Sequence, residues 1–202
     1  MLTNHYWYIP EALTPQQCDD IHDAAANVER TEGFHFGHEE GHRNSQVSWI
    51  YNDSITLRIG AWMRQANKEA GWHFDLAIPE AVQYTRYLPG GQYDWHIDGN
   101  QDQHAARKLV PTAKNPIPLN ITPFPELQGT VRKLSATINL SDPQDYSGGE
   151  LQIRCYDQLH VFKDAPKGSI VVFPSFMEHR VTPIAFGKRF AAVMWYNGYP
   201  LH

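Results

Sequence analysis

Two rhythms of apolar residues divide the chain. Between Asp53 and Ala70, the apolar residues Ile55, Ile59, Trp62, Met63 and Ala66 recur at i, i+4, i+7, i+8 and i+11, which draws one stripe on a helix. Earlier, Thr14-Pro15-Gln16-Gln17 has the marks of a helix start: Thr14 as cap, Pro15 at the first position and Gln17 closing a capping box. That helix is expected to run to about Glu29, with a strand over His5 to Ile9 before it and another over Ser45 to Ile50 after it. Beyond Gly71 the pattern changes to short strands, read as Ala81 to Tyr87, Tyr93 to Ile97, Lys133 to Leu140, Leu151 to Cys155, His160 to Lys163, Ile170 to Phe173 and Arg189 to Tyr196. Turn residues at Pro89-Gly90-Gly91, Ser147-Gly148-Gly149 and Lys167-Gly168 separate them. Helices followed by many antiparallel strands predict an α+β, mainly β fold, a double-stranded β-helix or jelly roll buttressed by two N-terminal helices. The expected organisation is one domain over 1–202, with helical support at about 14–70 and the β core at about 81–198.

Two stretches do not fit either rhythm. Residues 99–131 contain Pro111, Pro116, Pro118, Pro123 and Pro125 among mixed polar residues, and read as an inserted lid loop that sets substrate selectivity. His104 within it reads as a lid histidine, not a ligand. The Gly- and His-rich stretch from Gly33 to Asn44, with His35, His38 and His42, lacks the cysteine pair or helical frame of a zinc site and reads as a solvated loop bordering the site's mouth.

Composition narrows the function classes. The 202 residues are 42% hydrophobic and 19% charged, as in an ordinary globular protein. A formal charge of −5 provides no global basic field for a polyanion, so nucleic acid is a poor substrate. Cys18 and Cys155 are far apart, without metal or redox spacing, and with no leader-like N-terminus or membrane-length apolar run the expected location is the cytoplasm.

The candidate chemistry lies in Gln92-Tyr93-Asp94-Trp95-His96-Ile97-Asp98-Gly99. On an extended strand, residues two apart share a face, so His96 and Asp98 present an imidazole and a carboxylate to one point. A 2-His-1-carboxylate metal face needs a second histidine, and His179 in Phe173-Pro174-Ser175-Phe176-Met177-Glu178-His179 is the candidate. Arg189, ten residues later, is a cation at the start of an otherwise apolar strand, with no acidic residue nearby in that run. A buried unpaired charge is costly, and a ligand carboxylate would relieve it through the bidentate fork that guanidinium offers.

This order of motifs resembles the Fe(II)/2-oxoglutarate-dependent dioxygenases. Leu140-Ser141-Asp142-Pro143, Asp145-Tyr146-Ser147-Gly148-Gly149-Glu150-Leu151 and the Phe-Pro-Ser to His-Arg-Val-Thr-Pro run resemble the prolyl-4-hydroxylase-like branch more narrowly. The resemblance implies that His96, Asp98 and His179 hold Fe(II), that Arg189 binds the distal carboxylate of 2-oxoglutarate, and that O2 is the second co-substrate, with succinate and CO2 released as a C–H bond is hydroxylated. It admits ascorbate as a reductant. It also implies co-substrate contacts for Tyr87, Ser135, Thr137, Asn139, Val181 and Trp195, and a substrate contact for Tyr93. Read from the residues alone, the tyrosines are equally ordinary strand residues with satisfied hydroxyls. Arg189 stands where many animal and plant prolyl hydroxylases carry Lys.

The implied substrate is a prolyl residue of a peptide or protein, with a free amino acid or other small metabolite as the alternative. Nucleic-acid demethylation is disfavoured, because Arg189-Phe190-Ala191-Ala192-Val193 lacks the additional arginines of that branch. A non-catalytic jelly-roll module binding a metal or sugar is the alternative of another class. The sequence carries no signal of oligomeric state.

Overall fold

The computed structural model describes residues 2–33, 41–99, 108–109, 121–122 and 124–200. His35, His38, His104 and most of the expected lid lie outside the described residues. From that lid region come a two-residue parallel pair and a 3-10 turn over Pro125–Leu127.

In chain order the elements are β1 (Trp7–Ile9), α1 (Pro15–Ala26), β2 (Thr31–Glu32), β3 (Arg43–Asn44), β4 (Gln46–Ile50), α2 (Asp53–Glu69), β5 (Ile78–Pro79), β6 (Val82–Tyr87) and β7 (Gln92–His96). There follow β8 (Lys108–Leu109), β9 (Ile121–Thr122), β10 (Val131–Asn139), β11 (Tyr146–Gly148), β12 (Leu151–Cys155), β13 (Gln158–Phe162), β14 (Ile170–Pro174), β15 (Glu178–Val181), β16 (Ile184–Gly187) and β17 (Arg189–Gly198). The major sheet runs β1-β14-β10-β17-β6-β4-β2 with β5 added on β17, and the facing minor sheet runs β13-β12-β15-β7-β3. The fold is the mainly β double-sheet arrangement that the strand rhythm predicts.

Local chemistry explains the helices. The Thr14 hydroxyl accepts from the Gln17 amide at 3.3 Å and the Gln17 side chain accepts from the Thr14 amide at 3.0 Å, satisfying two otherwise orphaned donors. Helix α1 stops at Ala26, short of Glu29, where Asn27 takes the cap and Val28 follows, both poor helix formers. Helix α2 is capped by Asn52, whose side chain accepts from the Ile55 amide. Ile55, Ile59, Met63 and Ala66 are buried against the outer face of the major sheet, together with Cys18. The stripe is therefore core, and burying each large aliphatic side chain stabilises the fold by about 1.5–3 kcal/mol.

Alternation in the major sheet separates this core from the space between the sheets. Leu134, Ala136 and Ile138 turn toward the helices, and Ser135, Thr137 and Asn139 turn away from them. Their register partners on β17 are Trp195, Val193 and Ala191, and those on β14 opposite Ser135 and Thr137 are Phe173 and Val171. The inner face is thus polar on β10 and partly apolar on its neighbours. Strands β2, β3, β5, β8, β9, β11, β15 and β16 were not legible in the sequence: they are short, and Pro or polar residues interrupt the alternation. Among the described residues no helix is long and apolar enough to cross a membrane.

Candidate metal centre

Strands β7 and β15 are adjacent and antiparallel, and their register places His96 opposite His179. That pairing joins two ligands 83 positions apart in sequence and makes the centre a product of sheet topology. The Nδ1 of His96 lies 2.7 Å from the Asp94 carbonyl, and the Nδ1 of His179 lies 2.9 Å from the Met177 carbonyl. A carbonyl can only accept, so each Nδ1 carries the proton and each Nε2 keeps its lone pair for a metal. This fixes both tautomers with backbone groups.

Asp98 reaches the same point by a different route from the extended strand expected of it. Strand β7 ends at His96, and the Asp98 and Gly99 amides both donate to the Ser175 carbonyl, at 2.9 and 3.0 Å. A Cβ at position 99 would lie 2.8 Å from that of Arg132, so the close approach requires glycine. The carboxylate then sits 3.7 Å from His96 Nε2 and 3.3 Å from His179 Nε2. Potential ligand atoms of the three residues all fall within 4.8 Å of one another, and among the described residues no fourth His, Cys or acid joins them. Burial alone would raise the Asp98 pKa, but the facing His179 and His96 rings when they carry a proton on Nε2, together with the Arg132 guanidinium, hold it well below the ordinary carboxylate range; a metal takes the place of those protons. The donor set is two neutral imidazoles and one carboxylate. It suits Fe(II) with open positions, whereas a structural zinc site would be closed by a fourth ligand.

The shell around the ligands is equally defined. Ser135 donates to Asp98 Oδ2 at 2.7 Å and shares a hydrogen bond with the Ser175 hydroxyl at 2.9 Å. The Tyr93 ring stacks on His96 at 3.5 Å between centroids, and Phe173 packs edge-on to His179 at 4.6 Å. His42 lies edge-on to Tyr93 at 5.8 Å, which puts the end of the Gly- and His-rich stretch at the border of the site.

Farther along the inner face lies Arg189, 4% exposed, with Nε and Nη1 lacking a hydrogen-bond partner among the described residues. It shares a cavity with Thr137, Asn139, Tyr146, Gly149, Leu151 and Val171. Tyr87, opposite it on β6, is buried and stays neutral, its pKa raised by that burial, with its ring 5.7 Å from the guanidinium. Gly149 has φ +65°, and a Cβ there would come within 2.9 Å of Arg189 Cδ. Asn139 donates to the Ser141 and Ala165 carbonyls at 2.9 and 2.6 Å and leaves its Oδ1 without a partner.

The structure therefore sorts the candidate residues. His96, Asp98, His179 and Ser135 meet at one end of the inter-sheet space, and Arg189, Thr137, Asn139 and Tyr87 at the other. Trp195 stands beside the metal end, opposite Ser135, with Val181 on the minor sheet opposite Leu151. The sequence reading missed Arg132, which pairs with Glu80 through two bonds of 2.7 and 2.8 Å and stacks on Trp195 at 3.7 Å. It also missed Arg43, whose guanidinium packs on Tyr93 at 4.5 Å and donates to Gln83 at 2.8 Å. No local signal marks either residue. Arg132 and Glu80 are 52 residues apart, and Arg43 lies in a stretch with no strand pattern.

A barrel of two facing sheets with a His-x-Asp…His trio at one end and a buried, unsatisfied arginine at the other is built for a divalent metal and a dicarboxylate. Residues 82–197, more than half of the chain, match the 2OG-Fe(II) oxygenase superfamily, and the chain belongs to that family. It is a 2-oxoglutarate-dependent dioxygenase of the hydroxylase type, using Fe(II), 2-oxoglutarate and O2. It is 28% identical over 193 residues to the PKHD-type hydroxylase PiuC of Pseudomonas aeruginosa, covering 93% of this chain and 76% of that one. Its fold is similar to that of a Pseudomonas putida prolyl-4-hydroxylase, with TM-score 0.67 and 20% identity over 97% of this chain and 94% of that one. A Trichoplax adhaerens prolyl hydroxylase in complex with a hypoxia inducible factor peptide fragment is also similar, with TM-score 0.60 and 17% identity over 96% and 84%.

Proposed function

We propose that this enzyme hydroxylates a prolyl residue of a peptide or protein, with His96, Asp98 and His179 holding Fe(II) and Arg189 binding the distal carboxylate of 2-oxoglutarate. The observation that carries the co-substrate assignment is Arg189 itself, a buried guanidinium with two nitrogens unsatisfied among the described residues, lining a small cavity with Thr137 and Asn139 on the inner face of the sheet that also carries Ser135. Leaving such donors unpaired costs several kcal/mol, and a carboxylate is the acceptor that a guanidinium binds most strongly. Bound iron supplies the redox chemistry that couples 2-oxoglutarate decarboxylation, with release of succinate and CO2, to hydroxylation.

The chain's own groups do the positioning. The Asp94 and Met177 carbonyls hold the two imidazoles in their metal-binding tautomers. Ser135 fixes the Asp98 carboxylate, with Ser175 behind it. Thr137, Asn139 and Tyr87 line the path to Arg189, with Val181 and Trp195 as walls. Tyr93, stacked on His96, faces the substrate. The prolyl assignment draws on the names of the similar folds, one of which holds a peptide. A single domain acting in the cytoplasm fits two buried, free cysteines.

The test is succinate formation by the Fe(II)-loaded enzyme with and without a proline-rich peptide. Stimulation by the peptide, but not by a copy in which alanine replaces each proline, is the expected result. Equal stimulation by both peptides would remove the prolyl assignment.

A further inference from the structure

Arg43 is a second arginine in the space between the sheets without a carboxylate partner among the described residues. It belongs to β3, directly opposite Tyr93 on β7, and its side chain bridges the two sheets. Its Nε donates to the Ser45 hydroxyl at 2.9 Å and its Nη2 to the Gln83 side-chain oxygen at 2.8 Å, and its guanidinium carbon lies 4.5 Å from the centre of the Tyr93 ring. All three partners are neutral. Among the described residues no acid forms an ion pair with it, in contrast to Arg132, which is held by Glu80. Two N–H groups on Nη1 remain for a ligand.

Position separates Arg43 from the co-substrate. On β6, Gln83 lies four residues from Tyr87, the register partner of Arg189. Four extended residues span about 13 Å and set the strand anchors of the two arginines apart, with Tyr87, on which both guanidinium charges act, between them. Arg43 contacts the ring that stacks on His96, which places it at the metal rather than at the distal carboxylate.

Charge counting gives the chemistry of its ligand. Bound Fe(II) contributes two positive charges, Asp98 removes one, Arg43 and Arg189 add one each, and Arg132 cancels Glu80. Ionised 2-oxoglutarate removes two. Among the described residues one positive charge remains in a partly desolvated site, where an uncompensated charge is costly. Resting on the prolyl-hydroxylase reading above, we propose that Arg43 is a specificity-determining residue that binds a carboxylate of the primary substrate, close to the carbon that is hydroxylated. That carboxylate comes either from an acidic or chain-terminal residue of a peptide or from a small free acid.

The test uses matched acid and amide probes: N-acetyl-proline and its amide, Gly-Pro-Glu and Gly-Pro-Gln, and N-acetyl-leucine and its amide. Binding is read by quenching of tryptophan fluorescence in the anaerobic Fe(II) and 2-oxoglutarate complex, and turnover by succinate. Wild type is expected to bind the acid of at least one pair ten times more tightly than the amide. Arg43→Gln should reduce that preference below threefold and Arg43→Lys should restore part of it, with 2-oxoglutarate affinity changing less than threefold in both. The soluble Arg43→Lys protein keeps the test decisive if the glutamine variant does not fold, because a point charge cannot reproduce the fork and the preference must then fall. Equal binding of acid and amide by wild type, no binding of any acid, an undiminished preference in the variants, or a tenfold loss of 2-oxoglutarate instead would each overturn the proposal. Acid preference confined to the leucine pair would keep the role of Arg43 and remove the prolyl reading. Preference for Gly-Pro-Glu over N-acetyl-proline would identify the source as a peptide.

Discussion

The two ends of the inter-sheet space are built on opposite principles. At the metal end each ligand is already committed: both imidazoles donate to backbone carbonyls, and the Asp98 carboxylate accepts from Ser135. At the other end Arg189 is buried with Nε and Nη1 unsatisfied, and Asn139 keeps an unpaired Oδ1. A metal site gains from rigid, pre-oriented ligands, because their geometry must be right before the ion arrives. An anion site gains from donors that have no other partner, since any internal acceptor would compete with the ligand. The difference teaches that the unpaired Arg189 donors are available to an anion, whereas the paired groups around His96, Asp98 and His179 hold geometry.

The sharpest way to break this comparison is to remove a member of the metal end. His179→Ala should abolish iron binding and turnover and keep the folded far-ultraviolet spectrum, because the ring's removal leaves the β7 and β15 ladder intact. Unfolding of that variant would instead indicate a structural metal. Arg189→Met comes next. Losing two charge-assisted hydrogen bonds, at about 1.5–3 kcal/mol each, should weaken 2-oxoglutarate by at least about a hundredfold. The same change removes an uncompensated buried charge, so the ligand-free protein should melt at the same or a higher temperature. A variant that loses stability but not 2-oxoglutarate affinity would make Arg189 a packing residue.

Smaller effects test where the boundary lies. Ser135→Ala should lower Fe(II) affinity about 10–100-fold, as loss of a partner to a ligand carboxylate does. With iron saturating, 2-oxoglutarate affinity should change little. The reverse pattern would move Ser135 to the co-substrate end, where the family resemblance puts it. Gly149→Ala introduces a Cβ against Ile184 and Arg189 at a positive φ, and should weaken 2-oxoglutarate several-fold and cost about 1–3 kcal/mol of stability. Fluorescence titration and thermal melts measure both.

Much of the scaffold and the reactive groups were legible in the chain because they rest on local rules. The α2 stripe repeats with the helical period, Thr14 and Gln17 form their capping box within four residues, and His96 and Asp98 lie two apart. Arg189 was legible as a charge in an apolar run. What stayed hidden depends on pairing between distant segments. The carbonyls that set the histidine tautomers carry no side-chain identity, and Ser175 acts partly through its backbone oxygen. Arg43 reaches Tyr93 and Gln83 only because β3 joins the edge of the minor sheet. Strand β15, which carries His179, is four residues long and lies between two prolines, so its alternation is too brief to register. The lid expected over 99–131 lies mostly outside the described residues.

The central claim is that one end of the inter-sheet space holds iron and the other an anion whose partner is Arg189. Anaerobic titration of the Fe(II)-loaded protein with 2-oxoglutarate, followed by the weak visible charge-transfer band of the chelate, tests both ends in a single measurement. Wild type should develop the band with saturation at one equivalent, and Arg189→Met should need at least about a hundredfold more 2-oxoglutarate to reach the same intensity. No band in wild-type protein with Fe(II) bound, or superimposable titrations for the two proteins, would contradict the account.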